Sequence, residues 1–277
     1  MLSRHLHSFA LALAVGVLAL ILSGAAQLGL PASEPHRGLS GIVVVLALLT
    51  TVAAWKRPRP WLRHLGLRHL AAGSLVAVLT LGALGIWMDV SAWAIVAHAC
   101  FSHILFAAVV ALALATSPSW SLPPDGVDDT GSPSLRTLGM VVPVAVFVQI
   151  FLGAIYRHLN LPVWPHIAGS LLVGCLLLYT GIVVLESHSA HKALRTSAQV
   201  LLAITVLQIA FGLGAFLGRV MVGDGMQPEW WSILARTLHV ATGALTLAAA
   251  VSYAMQTNYH VSEDPIGKSP IEKSVVA

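Results

Sequence analysis

The chain has 277 residues, of which 57% are hydrophobic and 9% charged, against about a quarter charged in an ordinary soluble domain. That balance excludes a water-soluble globular fold. Spans of about 20 apolar residues with short connections leave room for roughly eight bilayer crossings and no sizeable soluble domain. The formal net charge of +4 is carried in short loops between apolar runs, so it reports orientation in a membrane rather than nucleic-acid binding. Stretches such as 41–54 and 171–185 are continuously apolar and lack the alternation of an outer-membrane barrel. The expected fold is therefore an all-α membrane protein.

In chain order, apolar runs at about 8–30, 37–55, 69–88, 91–116, 137–157, 166–186, 197–219 and 231–256 predict eight transmembrane helices. The first run has no small-residue cleavage site and reads as a retained helix. An even number of spans puts both termini on one side. If that side is cytoplasmic, it collects Arg4, Lys56, Arg57, Arg59, Arg63, Arg68, Arg136, Lys192, Arg195, Lys268 and Lys273, and leaves Arg37, Arg157, Arg219 and Arg236 outside. This excess predicts N-in, C-in topology. Trp87, Trp93, Trp164, Trp230 and Trp231 then form an outer aromatic belt, with Trp55, Trp61 and Trp120 at the inner interface. Cys100 and Cys175 both fall inside apolar runs and give no support to a disulfide framework.

The longest polar break, 117–134, holds prolines, a glycine and Asp125, Asp128 and Asp129, and reads as a linker between halves. The expected division is an N-terminal four-helix bundle over 1–116, a cytoplasmic linker over 117–136, a C-terminal four-helix bundle over 137–257 and a mobile tail over 258–277. Pro35-His36 opens the second apolar run and Pro165-His166 the sixth, each with a serine four residues after the histidine (Ser40, Ser170). In the fourth and eighth runs a gapless register superposes His98 on His239, Ala107-Ala108 on Ala248-Ala249 and Val110 on Val251. The halves are thus an internal duplication, two tandem pseudo-twofold-related bundles. Four spans per half give both the same orientation in the membrane.

His5, His7, His64, His69, His188, His191 and His260 fall in cytoplasmic segments or at their edges and read as solvated, and His158 beside Arg157 as interfacial. The duplicated histidines differ, because a buried imidazole in a membrane helix demands a partner and marks function. His36, His98, His166 and His239 all lie near the outer ends of even-numbered spans. Two parallel helices in each half can therefore present imidazoles at one depth. His98 and His239 lie about eight residues inside their runs, roughly 12 Å of rise, so the fourth and eighth helices are expected to project further outward. Two neutral imidazoles can bind one iron axially with a macrocycle in the bundle core, whereas zinc needs further ligands that neither pair supplies. A hydrogen bond to a neighbouring helix is the structural alternative for each histidine. His103 is either a further ligand or a packing residue.

Arg37, Arg157 and Arg236 adjoin these histidines, either as cations for carboxylates at the mouth of the bundle or as interfacial side chains. Gly82 and Gly85, with Gly212 and Gly214, allow either a macrocycle or a neighbouring helix to approach the backbone. Glu34, two residues before His36, is placed either to relay protons or as a solvated loop acid. Asp89 and Glu229 lie in other outer loops with the same two readings.

Eight helices in two tandem units, with histidines at the outer ends of spans two, four, six and eight, resemble the haem A synthase family over about residues 8–257. The resemblance implies that His166 and His239 ligate a resident haem b and that His36 and His98 flank the substrate, haem O. It also implies oxidation of the C8 methyl of haem O to a formyl group, giving haem A for terminal oxidases. It makes Glu34, His36 and His98 the catalytic residues, and Arg37, Arg157 and Arg236 cofactor-binding. The family signature places a glutamate three residues before its first-half histidine and an arginine after it. Here Ser33-Glu34-Pro35-His36-Arg37 keeps the His-Arg pair with the acid two residues away. Many members carry a cysteine pair in the first outer loop, whereas the loop at 30–36 is short and has none.

The implied partners are haem O, molecular oxygen or water, an unidentified electron donor, haem O synthase and the terminal oxidase under assembly, with membrane lipid around the chain and no nucleic acid. The implied location is the bacterial plasma membrane. Two other classes fit the pattern less fully. A b-type electron carrier with two bis-histidine haems shares all four ligands. A non-haem transporter would use the tandem repeat for alternating access but would need membrane-centre acids or broken helices, which the spans lack.

Overall fold

The computed structural model describes residues 5–26, 34–56, 66–86, 91–121, 124, 126–129, 131–222 and 229–261. Arg4, Arg57, Arg59, Arg63, Lys268, Lys273, Trp61, Trp87, His64, Asp89 and Asp125 lie outside the described residues. The helices are α1 (Leu6–Ala26), α2 (Glu34–Trp55), α3 (Gly66–Ile86), α4 (Ala92–Ala115), α5 (Leu135–Leu159), α6 (Trp164–Ser187), α7 (Lys192–Val222) and α8 (Trp230–His260), with a 3-10 turn at Pro118–Ser121. All eight are long and apolar enough to cross a membrane, and the described residues contain no β-strand. The protein is an all-α, multi-pass membrane protein.

The ends differ from the sequence expectation where polar residues stay helical. The α7 helix starts at Lys192 rather than near 197, and α8 runs to His260 rather than 256, because a helix satisfies its backbone internally whether its side chains meet lipid or headgroups. The first helix is described from Leu6 to Ala26, and residues 27–30 of the expected run lie outside the described residues. Pro143 sits inside α5, where packing against neighbouring helices makes such a residue tolerable.

Helix contacts run α1–α2, α2–α3, α3–α4 and α1–α4 in one set and α5–α6, α6–α7, α7–α8 and α5–α8 in another, and the sets meet along α4–α8, α1–α8 and α4–α5. This seam explains an uneven burial. In the most apolar stretch of each helix, 50% of α4 and 56% of α8 are buried, against 28% or less elsewhere. Small residues make the close approach possible: Ala107 and Ala111 of α4 and Ala244, Ala248 and Ala250 of α8 are buried in it. The repeated alanine pairs seen in the sequence therefore line the two helices that join the sets. Buried hydroxyls at Thr50, Ser74, Thr116, Thr180, Thr205 and Thr246 donate to the carbonyl four residues back, so these six are paired where water is absent. Trp55, Trp93, Trp164 and Trp230 are exposed near helix ends, and Cys100 and Cys175 are both free.

The linker is docked rather than loose. Val127 donates to the His260 carbonyl at 2.9 Å and forms an isolated bridge with Val261, Arg136 donates to the Val261 carbonyl at 2.7 Å, and Trp120 stacks on Tyr259 at 4.5 Å. Residues 258–261 of the expected mobile tail are thus helical or bonded to the linker. His7 contacts the Ala113 carbonyl at 3.0 Å, His188 the Asp128 carbonyl at 3.2 Å, and His191 packs on His260 at 4.5 Å. These four are held by protein rather than simply solvated. Asp129 accepts the exposed amides of Leu135 and Arg136 at 2.9 and 3.3 Å, and Ser134 accepts that of Thr137 at 3.1 Å, capping the start of α5. Asp129→Ala is expected to lower stability by about 1 kcal/mol, measured as a reduced thermal midpoint of the detergent-solubilised protein, with faster proteolysis near residue 127.

Candidate functional site

Depth in this fold follows from distance to the connecting loop. Two antiparallel helices joined by a short turn bring residues equally far from the turn to the same level, since each residue advances 1.5 Å. Asn160 ends α5 in the left-handed region at φ 53° and Pro165 stands in the first turn of α6, both residue types suited to those positions. Gly153, six residues before the end of α5, meets His166, two residues into α6, a pair four residues off equal spacing. Gly212, ten residues before the end of α7, meets His239, nine residues into α8. In α1 and α2 the same geometry sets Ser23 and Gly24 beside His36.

The longer lead of α8 absorbs the axial offset. His239 and His166 reach the same level, with ring centroids 6.2 Å apart and planes at 83°. Both are half-buried. Each ring lies against a glycine: a Cβ at Gly153 would meet His166 Cε1 at 2.9 Å, and one at Gly212 would meet His239 Cε1 at 2.9 Å. Each also has a hydrogen-bond partner on the odd-numbered helix beside it. The Gln208 carbonyl lies 3.3 Å from His239 Nδ1, and a carbonyl only accepts, so Nδ1 carries the proton and Nε2 is bare. Gln149 Nε2 stands 2.9 Å from His166 Nδ1 and 2.7 Å from the His166 carbonyl. On its far side His166 is flanked by Tyr156, nearly parallel at 6.4 Å, and Tyr156 by the Arg219 guanidinium at 5.6 Å.

The first half is less furnished. Ser23 Oγ donates to the Leu20 carbonyl at 3.0 Å and lies 2.7 Å from His36 Nδ1, so it accepts the imidazole proton and leaves Nε2 bare. Gly24 borders the same ring, a Cβ there standing 3.4 Å from His36 Cε1. His98 is within electrostatic reach of His36, and its Nδ1 is buried with no hydrogen-bond partner. Glu34 opens α2, and its side chain lies outside the described residues. His103 is buried in the α4–α8 seam with Nδ1 donating to the Ala99 carbonyl at 2.7 Å, a packing role. Among the described residues no group of three or more His, Cys, Asp or Glu side chains converges.

Arg157 donates to the Ala25 carbonyl at 3.3 Å and lies within electrostatic reach of Arg236 and His239. Arg236 donates to the Ser232 carbonyl at 3.1 Å. Two cations therefore stand together near the mouth of the second-half pair. Arg37 is exposed one residue after His36. Of the glycines singled out by sequence, Gly212 receives the His239 ring and Gly214 the Ala235 methyl, while a Cβ at Gly82 or Gly85 would meet nothing within 4 Å.

Residues 35–171 match the family model described as Cytochrome oxidase assembly protein, COX15-CtaA. The chain belongs to that family, the haem A synthase family. The matched segment contains His36, His98 and His166, and His239 lies beyond it. No curated protein matches the chain.

Within this family member, Gly153, Gln149, Gln208 and Ser23 were not anticipated, yet a signal for three of them is in the sequence. Gln149-Ile150-Phe151-Leu152-Gly153 in α5 and Gln208-Ile209-Ala210-Phe211-Gly212 in α7 share one pattern, a glutamine and a glycine one helical turn apart. Substituting Gly153 or Gly212 by Ile is expected to cost about 1–3 kcal/mol of stability through overpacking against the imidazole. Gly82→Ile, at an open position, should shift the thermal midpoint far less in the same melting experiment.

Proposed function

We propose that the chain is a membrane oxidoreductase that oxidises the C8 methyl of haem O to a formyl group, producing haem A for terminal oxidases. A resident haem b is held by His166 and His239. The observation that carries this reading, beside family membership, is the 6.2 Å separation of the two ring centroids. Two imidazoles at this separation would be close enough to share one metal atom. The donor set would fit as well: imidazoles hold b-type haem iron, glycines make room for both rings, and His239 already presents a bare Nε2. When bound, the iron porphyrin supplies the electron-transfer and oxidation chemistry.

The rest falls to side chains of this chain. His36 and His98 flank the substrate haem O in the first half, and Ser23 holds the His36 proton at Nδ1 so that Nε2 faces the substrate. Arg157 and Arg236 provide positive charge for propionate carboxylates of the resident group, and Arg37 does so for the substrate. Glu34 is assigned to proton transfer beside His36. Molecular oxygen is the oxidant, and the electrons come from a donor outside the chain. The enzyme is set in the bacterial plasma membrane with both termini cytoplasmic, a placement supported by the loop distribution of its Lys and Arg.

Replacing His36 or His98 by Ala should abolish conversion of haem O to haem A while the second-half pigment stays bound, and replacing His166 or His239 should remove that pigment. Chromatography of extracted porphyrins from purified variants checks both. Haem B alone at two sites in the unmodified protein would identify an electron carrier instead, and a colourless protein would end both readings.

A further inference from the structure

We propose that Gln149 is a positioning residue for His166, whose amide group turns over when His166 becomes a metal ligand. The inference rests on the reading of His166 and His239 as the resident haem pair. The His166 carbonyl can only accept a hydrogen bond, so the Gln149 atom 2.7 Å from it is the amide NH2. The same nitrogen lies 2.9 Å from His166 Nδ1. Its two hydrogens thus serve two acceptors, and Nδ1 is one of them. The single ring proton of a neutral imidazole is then on Nε2, the nitrogen left to share a metal with His239.

A metal binds only a bare ring nitrogen. Ligation by His166 Nε2 therefore moves that proton, through solvent, to Nδ1 of the same ring, with no change in net charge. Nδ1 then becomes a donor and requires an acceptor. Gln149 Oε1 is buried with no hydrogen-bond partner, and it packs against Gly169 of α6, where a Cβ would collide with it. Turning the amide, with its end drawn back from the His166 carbonyl that the NH2 serves in the metal-free state, brings this oxygen onto the Nδ1–H and gives an unpaired buried acceptor a donor.

The opposite ligand shows why only one side moves. His239 is held by the main-chain carbonyl of Gln208, a group fixed in its helix, and the Gln208 side chain is engaged separately by the Thr242 hydroxyl. The two matching Gln-Ile-x-x-Gly turns thus do different work. The α7 turn supplies a rigid acceptor and a preset tautomer, and the α5 turn supplies an adjustable side chain.

The test uses the full-length protein in detergent, as unmodified chain and as Gln149→Glu, Gln149→Met and Gln149→Asn, each loaded with iron protoporphyrin IX. A partner that accepts from Nδ1–H makes the imidazole a stronger donor to iron. Gln149→Glu, an acceptor only, should lower the midpoint potential and alter the low-spin electron paramagnetic resonance g-values. Gln149→Met, with only a weakly accepting thioether, should raise the potential and speed haem loss to an excess of apomyoglobin by about 10- to 100-fold. Gln149→Asn, whose amide is one methylene short of the ring, should behave like Met. Potentials and g-values equal to those of the unmodified protein in both Glu and Met variants would overturn the proposal.

A second measurement needs no Gln149 variant. In haem-free, histidine-15N-labelled protein, His166 should give the Nε2–H tautomer and His239 the Nδ1–H tautomer, with signals assigned by their loss in His166→Ala and His239→Ala. An Nδ1–H tautomer at His166 would overturn the proposal even if the Gln149 variants failed to fold. The two readings fail separately: a His166→Ala protein that keeps the unmodified haem spectrum removes the ligand assignment itself. Loss of that spectrum, with Gln149 variants unchanged in potential, removes only the role of Gln149.

Discussion

Two imidazoles facing each other across 6.2 Å inside a lipid-embedded helix bundle impose most of the requirements met elsewhere in this molecule. Polar ring nitrogens in an apolar medium must be paired, and flat rings between helices need room that ordinary side chains would fill. The room comes from Gly153 and Gly212, and the pairing from Gln149 and the Gln208 carbonyl. Because each glycine and its glutamine are one helical turn apart on the same strip of helix, a single face of α5 and a single face of α7 do both tasks. The fold around the pair is arranged to bring those faces to the right depth, through the tight α5–α6 turn and the long lead of α8.

The two halves repeat the histidines but not their surroundings. Both rings of the second pair have a glycine against them and a hydrogen-bond partner on the next helix. In the first half His36 is paired with Ser23, and the His98 ring is bonded to the Leu81 backbone while its Nδ1 is buried with no partner. Unpaired buried polar atoms are tolerated where a ligand or a movement satisfies them. Under the proposed reaction this asymmetry has a direct meaning. Both second-half rings would meet a resident group with a hydrogen-bond partner behind them, and in the first half one buried ring nitrogen, His98 Nδ1, is left for a ligand or a movement to satisfy.

Much of this was legible in the sequence, for a physical reason that also marks the limit. Lipid leaves few options, so run length and apolarity alone identify eight helices, and an imidazole inside such a run stands out against its neighbours. The His36/His166 and His98/His239 correspondence is visible because these residues are rare in their context. Gln149 and Gln208 are equally conspicuous by that criterion, but their pairing with glycine becomes meaningful only when α5 lies against α6 and α7 against α8. The same holds for the linker. Its prolines and aspartates read as a tether, while its docking depends on Asp129 reaching amides six and seven residues later and on Arg136 and Val127 meeting the end of α8. Hydropathy carries no information about such polar contacts at a helix end, and it misplaced the start of α7 for the same reason.

The seam between the helix sets ties the two candidate sites together. The α4 helix carries His98 and the α8 helix carries His239, and these two helices are packed against each other through small residues and the buried His103. A displacement of α4 that accommodated a molecule beside His98 would act on α8 through these contacts. His239 resists such displacement, since its ring is wedged against Gly212 and bonded to a main-chain carbonyl. The ring with latitude in that pair is His166, on α6, which takes no part in the seam. Adjustment is thus directed to a helix outside the seam that joins the two sets.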